Sequence, residues 1–235
     1  MSIIKNLNKK NKDIPKYKKV IKPWGSEYSI YRNNISSAKL LKIKSKHKTS
    51  LHCHPNKKTA FLLVDGEVDV KIGFYETKKL KSISKLMIRP GLFHSTKNNN
   101  KKTASIIEIE TPVDKDDLVR FKDNYGRENL PYEKKNKMVN LDIDEVVFKE
   151  PKLNSKKIYK IMGKKIILAK TTNLKKIQNK NRKTIFAILG GGICSNSKQL
   201  VLSPGDIVNG DTISKLSHVF KIKKYITYMS IKYDK

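Results

Sequence analysis

The chain has 235 residues, 52 of them lysine or arginine and 21 aspartate or glutamate, for a formal net charge of +31. That length suits one large all-β domain or two small ones, and no apolar run approaches the roughly 20 residues that span a bilayer, so a helical membrane protein is excluded. Only five of the basic residues are arginines (Arg32, Arg89, Arg120, Arg127 and Arg182), and without arginine forks or aromatic platforms the charge reads as a solvated lysine surface that favours small anions, not nucleic acid.

Residues 1–19 are polar and lysine-rich, lack the apolar core of a secretory signal, and read as a loosely attached arm of a cytoplasmic protein. Short β segments follow. Residues 39–44, 50–54 and 60–64 read as strands, the last ending in the turn signal Asp65-Gly66. Residues 67–74 alternate, with Val68, Val70 and Ile72 on one face, and residues 85–88 and 105–109 complete the series. Asp116 to Phe121 reads as a short helix, and residues 129–150, with Pro131 and many charges, as a linker or strap.

A second block, residues 151–235, repeats a rough order. Residues 166–169, 184–189, 199–202 and 226–231 read as strands. Gly190-Gly191-Gly192 follows an apolar strand as Asp65-Gly66 does, and Pro204-Gly205 follows another as Pro90-Gly91 does. The expectation is a duplicated barrel with residues 20–128 as its first copy. Cys53 and Cys194 are too few for a disulfide framework and fit a reducing compartment.

His52 and His54 carry the chemistry. Alternate residues of a strand face the same way, so both imidazoles reach one point inside a barrel while Cys53 points away. Forty residues on, Pro90-Gly91-x-x-His94 starts a strand that delivers a third imidazole. Three neutral imidazoles with open positions suit a divalent Zn, Fe, Ni, Co or, less well, Mn ion. The second block has no such pair; His218 stands alone there, so its barrel is expected to hold no metal.

His52-x-His54, Gly66 and Pro90-Gly91-x-x-His94 with Asn98 resemble the two motifs of the cupin superfamily. Lys22-Pro23-Trp24-Gly25 with Tyr28, the segment Leu51 to Gly66, Ile107-Glu108-Ile109-Glu110 and the long stretch Asp116 to Arg127 resemble the type II mannose-6-phosphate isomerase domain. That domain forms the C-terminal part of mannose-1-phosphate guanylyltransferases. The resemblance covers residues 20–128 and implies a cupin fold, a double-stranded β-helix or jelly-roll barrel, and for the whole chain a bicupin whose second barrel is degenerate. The departures are specific: His52 replaces a glutamine, Lys57 an arginine, Thr59 the glutamate of the first cupin motif and Ala60 a histidine. The nucleotidyltransferase half is absent, so guanylyltransferase activity is not implied.

The resemblance implies a metal-dependent isomerase or epimerase of a sugar phosphate or nucleotide sugar, serving polysaccharide precursor metabolism. His52, His54 and His94 would hold the metal. Glu108 is the candidate base or further ligand, against an outward-facing strand carboxylate. Lys57 is a candidate catalytic and phosphate-binding residue, against one more surface lysine. Arg120 and Arg127 are candidate phosphate contacts, against a role in fastening the closing segment through Asp116 or Asp123. Trp24, the single tryptophan, is expected to pack the core. A homodimer is a guess from resemblance. Two other readings stand beside the isomerase: a non-catalytic sugar-binding or regulatory cupin, suggested by Thr59, and a three-histidine iron oxygenase.

Overall fold

The computed structural model describes residues 18–128, 137–177, 181 and 183–233. The N-terminal arm up to residue 17, the linker residues 129–136 and Arg182 lie outside them. The first half contributes β1 (Lys18–Lys22), β2 (Gly25–Arg32), β3 (Ser37–Ile43), β4 (Leu51–Cys53), β5 (Lys58–Asp65), β6 (Glu67–Ile72), β7 (Glu76–Lys81), β8 (Ser84–Ile88), β9 (His94–Lys97), β10 (Ala104–Thr111) and β11 (Val119–Lys122). A strap strand, β12 (Met138–Asn140), returns to pair with β1. These strands form two antiparallel sheets, ordered β12-β1-β2-β3-β10-β5-β8 and β11-β4-β9-β6-β7.

The two sheets face each other as a barrel. Leu41, Ile43, Phe61, Leu63, Val68, Val70 and Ile106 fill the space between them, with Trp24 buried among them in the packing place the sequence suggested. The alternation of β6 is borne out: Val68 and Val70 are buried in this core and Ile72 packs against it. Gly25 explains the tight start of β2. It adopts φ of +148°, and a Cβ there would sit 1.9 Å from the carbonyl oxygen of Lys42, so only glycine fits.

Two elements differ from expectation. The stretch read as a helix over Asp116–Phe121 is a bend followed by strand β11, because Val119 and Arg120 pair with Cys53 and His52 at the edge of β4. The triple glycine is not a turn. It lies inside β15 (Ile185–Cys194), where Gly191 at φ of +65° comes so near the carbonyl of Tyr225 that a side chain has no room.

The second half comprises β13 (Ser155–Ile161), β14 (Lys164–Thr171), β15, β16 (Leu200–Leu202), β17 (Ile207–Asn209), helix α1 (Gly210–Val219) and β18 (Lys221–Tyr233). Its sheet runs β13-β14-β18-β15-β16, with β17 also on β15. The order of a hairpin, then the last strand, then the next strand matches β2-β3-β10-β5 of the first sheet. Among the described residues only one sheet of a barrel pair is built, and α1 packs Ile213 and Leu216 onto the face a second sheet would cover. The second barrel expected from the repeat is thus present as a half-barrel.

This half-barrel lies against the outer face of the first sheet. Ile30, Leu40, Leu62, Val64, Ile107 and Ile109 from one side meet Ile166, Leu168, Ala187, Leu189, Met229 and Ile231 from the other. The first sheet is therefore buried on both faces, which is why β5 and β10 read as near-continuous apolar runs. The two halves are also joined by Lys58, which reaches Asp206 at 3.0 Å and Ser203 at 2.8 Å. Asn33 adds a bond to the carbonyl of Leu189 at 3.1 Å.

Phe148, in the strap, seals one edge of this interface. It is buried, stacks on Tyr159 with centroids 4.3 Å apart, and donates its backbone N–H to Ile30 at 2.6 Å. Phe148→Ala should lower unfolding free energy by about 3–5 kcal/mol, the usual cost of an emptied aromatic site. Urea unfolding followed by circular dichroism checks it, and a loss under about 1 kcal/mol would mean the strap carries none of the interface.

Candidate metal centre

β4 and β9 place the histidines. His52 and His94 are register partners across the two strands, and His54 follows β4 directly. The ring centroids lie 4.4 Å (His52–His94), 5.2 Å (His52–His54) and 5.6 Å (His54–His94) apart. Each Nδ1 is tied to a backbone carbonyl: His52 to Ser50 at 2.9 Å, His54 to Asp117 at 2.6 Å and His94 to Leu92 at 3.0 Å. A carbonyl only accepts, so each Nδ1 carries the proton and each Nε2 presents a lone pair. One donor atom from each ring falls within 4.8 Å of the others. The Nε2 of His94 is buried with no partner among the described residues. Three neutral imidazoles aimed at one point, one of them orphaned, fit a divalent metal. Cys53 is buried outside this cluster.

Asp117, which the sequence reading passed over, fixes the loop after His54. Its carboxylate accepts the backbone N–H of Asn56 at 3.1 Å and of Lys57 at 3.0 Å, while its carbonyl holds His54. Helical spacing hid this role, which depends on β11 lying beside β4.

Below the histidines the barrel interior is charged. Lys57 is not a surface lysine: it is 2% exposed and reaches Glu110 at 3.4 Å. Glu108 is not outward-facing: Glu108 and Glu110 both point inward from β10 and are buried, while Ile107 and Ile109 face the half-barrel. Lys39 pairs with Glu110 at 2.8 Å, His54 Nε2 approaches the same carboxylate at 3.7 Å, and Lys22 lies 3.5 Å from Glu27. Glu110, Lys39, Lys22 and Glu27 carried no assigned role in the sequence. The signal was there in the period of two, since Glu110 is two residues from Glu108 and Lys39 two from Leu41.

Electrostatics divides the two carboxylates. Burial raises Glu108 to about 8, reinforced by the charge of Glu110. Burial also pushes Glu110 upward, but Lys39 and then Lys57 outweigh it and hold Glu110 well below the usual range. Glu108 is thus largely protonated at neutral pH and Glu110 ionised.

Arg120 and Arg127 line the pocket together with Lys115 and Leu118. Arg127 also grips Asp123, four residues before it in the same turn, with two bonds of 2.8 Å. The pocket these residues line is partly open to solvent, with a volume of about 70 Å³.

Residues 9–123 match the family model described as "Mannose-6-phosphate isomerase C-terminal". The first barrel resembles that isomerase domain, and the match covers just under half of the chain. The xanthan biosynthesis protein XanB of Xanthomonas campestris is 31% identical over 113 residues, covering 47% of this chain and 24% of XanB. The mannose-1-phosphate guanylyltransferase ManC of Salmonella typhimurium is 29% identical over the same length, covering 47% and 23%. The chain thus spans about a quarter of the length of these relatives. Among solved structures, KdgF from a Halomonas species superposes with a TM-score of 0.38 at 14% identity, covering 40% of this chain and 85% of KdgF. A Klebsiella pneumoniae protein with a double-stranded β-helix domain gives 0.35 at 17%, covering 37% and 75%. No helix among the described residues is long and apolar enough to cross a membrane.

Burial lowers all three imidazoles, His94 to about 4 and His52 well below its usual value, and for these two the neighbouring rings add to the effect. A lowered histidine contributes stability that is full above about pH 6.5 and is lost as the pH falls toward its folded value, because the unfolded chain takes up the proton first. Glu108, raised, acts in the opposite sense over part of that range. The prediction therefore concerns a difference: the stability of metal-free wild type relative to His94→Gln should fall steadily between about pH 7 and pH 4.5. Denaturation midpoints across that range measure it, and a pH-independent difference would contradict the buried neutral imidazole.

Proposed function

We propose that this cupin is a metal-dependent isomerase or epimerase of a phosphorylated or nucleotide-linked hexose, acting in the supply of precursors for nucleotide sugars or surface polysaccharide. One observation carries the reading: three imidazole Nε2 atoms converge above a buried pair of carboxylates with opposite protonation preferences, beneath a rim of Lys115, Arg120 and Arg127. The match to the mannose-6-phosphate isomerase C-terminal family supports the substrate class.

Aldose–ketose isomerisation moves a proton between two adjacent carbons. It needs a base that takes the proton from one, an acid that returns it to the other, and stabilisation of the enediolate between them. A divalent ion held by His52, His54 and His94 would polarise the sugar carbonyl and orient its hydroxyls. Glu108, raised to about 8, is the acid–base group: its ionised form takes the proton from one carbon, and the acid so formed returns it to the other. Glu110 stays ionised, keeps Lys39 charged and holds Lys57 in place. Arg120, Arg127 and Lys115 receive the phosphate at the mouth, where the wide positive field also raises local substrate concentration. Phe61, with its ring 5.7 Å from His94, and Leu118 limit water at the reacting end.

The sugar-binding reading without catalysis draws on Thr59, which offers no carboxylate. The presence of Glu108 and Lys57 beside the histidines weighs against it. The experiment is elemental analysis of protein purified without chelator, beside His52→Ala and His94→Ala, followed by proton NMR of a sugar-phosphate panel with the metal-loaded protein. Near-stoichiometric Zn, Mn, Fe, Ni or Co that disappears in both variants, with turnover of at least one sugar phosphate lost in Glu108→Gln, is expected. Metal without turnover would favour sugar binding. Iron with oxygen consumption would favour the three-histidine oxygenase.

A further inference from the structure

Beside the histidine pocket lies a second hollow of about 420 Å³. That volume falls within the roughly 300–1,000 Å³ of small-molecule sites. Ser29, Arg32 and Ser37 line it from β2 and β3, Asn34 from the hairpin between them, and Val113 and Lys115 from the segment after β10. Lys39, Glu110 and Lys115 line both hollows, so the two share a wall. The walls are held from outside. Asn33 closes the hairpin, its Oδ1 accepting the N–H of Ile35 at 2.8 Å and of Ser36 at 2.7 Å, while its Nδ2 donates to the Leu189 carbonyl of the half-barrel at 3.1 Å. The hydroxyls of Ser36 and Thr111 meet at 2.6 Å and tie the hairpin to the end of β10. A hollow fixed in this way loses little freedom when a ligand enters.

Charge singles the hollow out. Arg32 is half-buried on its wall, and its guanidinium has no ion pair or hydrogen bond among the described residues. The two carboxylates nearby are turned to other partners: Glu110 takes Lys39 at 2.8 Å, and the exposed Asp114 accepts the backbone N–H of Asp116 at 3.0 Å. A guanidinium stays charged at every ordinary pH and presents its donors as a planar fork, which matches the oxygens of a phosphate.

We propose that the Arg32 hollow receives a second phosphate group of the substrate, so that the site is built for a hexose joined to a nucleoside through a diphosphate, in preference to a hexose monophosphate. The inference rests on the functional reading above and narrows it. A hexose monophosphate has one phosphate, which Lys115, Arg120 and Arg127 receive, and it leaves Arg32 unanswered. A diphosphate has two phosphates in succession, and Lys115, common to both hollows, stands between the first set of cations and Arg32. The nucleoside continues beyond the second phosphate.

The test is isothermal titration of the protein as purified with two groups of probes. One group is mannose 6-phosphate, glucose 1-phosphate and glucose 1,6-bisphosphate; the other is the uridine, guanosine and deoxythymidine diphosphate hexoses. At least one nucleotide-linked hexose should bind about 10-fold or more tightly than any of the hexose phosphates. Arg32→Gln should weaken that ligand by about 10-fold or more, the usual weight of a hydrogen bond to a charged group, and leave the monophosphates within about 2-fold. Arg32→Lys, which keeps the charge but not the fork, should fall between the two. Lys78→Gln removes the same charge from β7, lines neither hollow, and should change nothing. Monophosphates that bind as tightly as nucleotide-linked hexoses overturn the assignment, as does an Arg32→Gln that weakens both groups alike or neither. An equal loss in Lys78→Gln assigns the effect to the overall positive field and overturns it too. Tightest binding of the bisphosphate, with the same dependence on Arg32, overturns the nucleotide-linked class. If neither group binds while the protein remains folded by circular dichroism, the functional reading falls with the inference, whereas binding of hexose monophosphates alone overturns the inference and leaves that reading standing.

Discussion

The first sheet is covered on both faces, and the two covers make different demands. Outward, Ile30, Leu40, Leu62, Ile107 and Ile109 must be apolar to meet the half-barrel. Inward, the same strands carry Lys39, Glu108 and Glu110 beside those apolar positions, with Lys57 just ahead of β5. Strand alternation lets both demands be met by one sequence, residue by residue. The apolar outer contact fixes the strands, and fixed strands can hold buried charges at hydrogen-bonding distance, where mispaired charges would cost several kcal/mol each. The position of every ionisable group in the site follows from that registration, including the alignment of Glu110 with Thr59 and of His52 with His94.

The same duality explains what could be read from the sequence. The histidine pair, the Pro-Gly turn and the strands around them were legible because period-two placement and turn chemistry are local. So was the inward face of Val68 and Val70. The roles of Glu110 and Lys39 were not, because a run such as Ile106-Ile107-Glu108-Ile109-Glu110 does not say which side meets solvent when neither does. The fate of Lys57 was misleading for the opposite reason. In a chain so rich in lysine, one more reads as surface, and only its closeness to Glu110 sets it apart. Asp116 to Phe121 has helical spacing, but the open edge of β4 offers backbone partners, and tertiary pairing overrode local preference. The strands of the second half were found in place, whereas α1, with its polar sequence, and β13, an edge strand of alternating lysines, gave no clear local signal.

The half-barrel also shows how a repeat can be kept in part. Strand order is conserved between the two halves through the hairpin, the last strand and the strand beside it, and Gly191 bends β15 much as Gly66 separates β5 from β6. What the second half has kept is the apolar sheet that packs against its neighbour. The face where a metal-bearing sheet would lie is closed by α1, whose His218 is exposed and faces no other histidine cluster among the described residues. Its contribution to the site is therefore indirect, through the rigidity of the strands that carry Glu108 and Glu110.

Trp24 gives the fold a further use. It is the chain's single tryptophan, 5% exposed, packed in the barrel core and also lining the pocket beside the histidines. Light absorbed beyond the tyrosine band is therefore emitted from one known spot. An ion or sugar arriving in that pocket alters the field around a lone indole with no second indole to dilute the change. The molecule thus carries its own optical reporter of occupancy, without a label and without a substitution near the site.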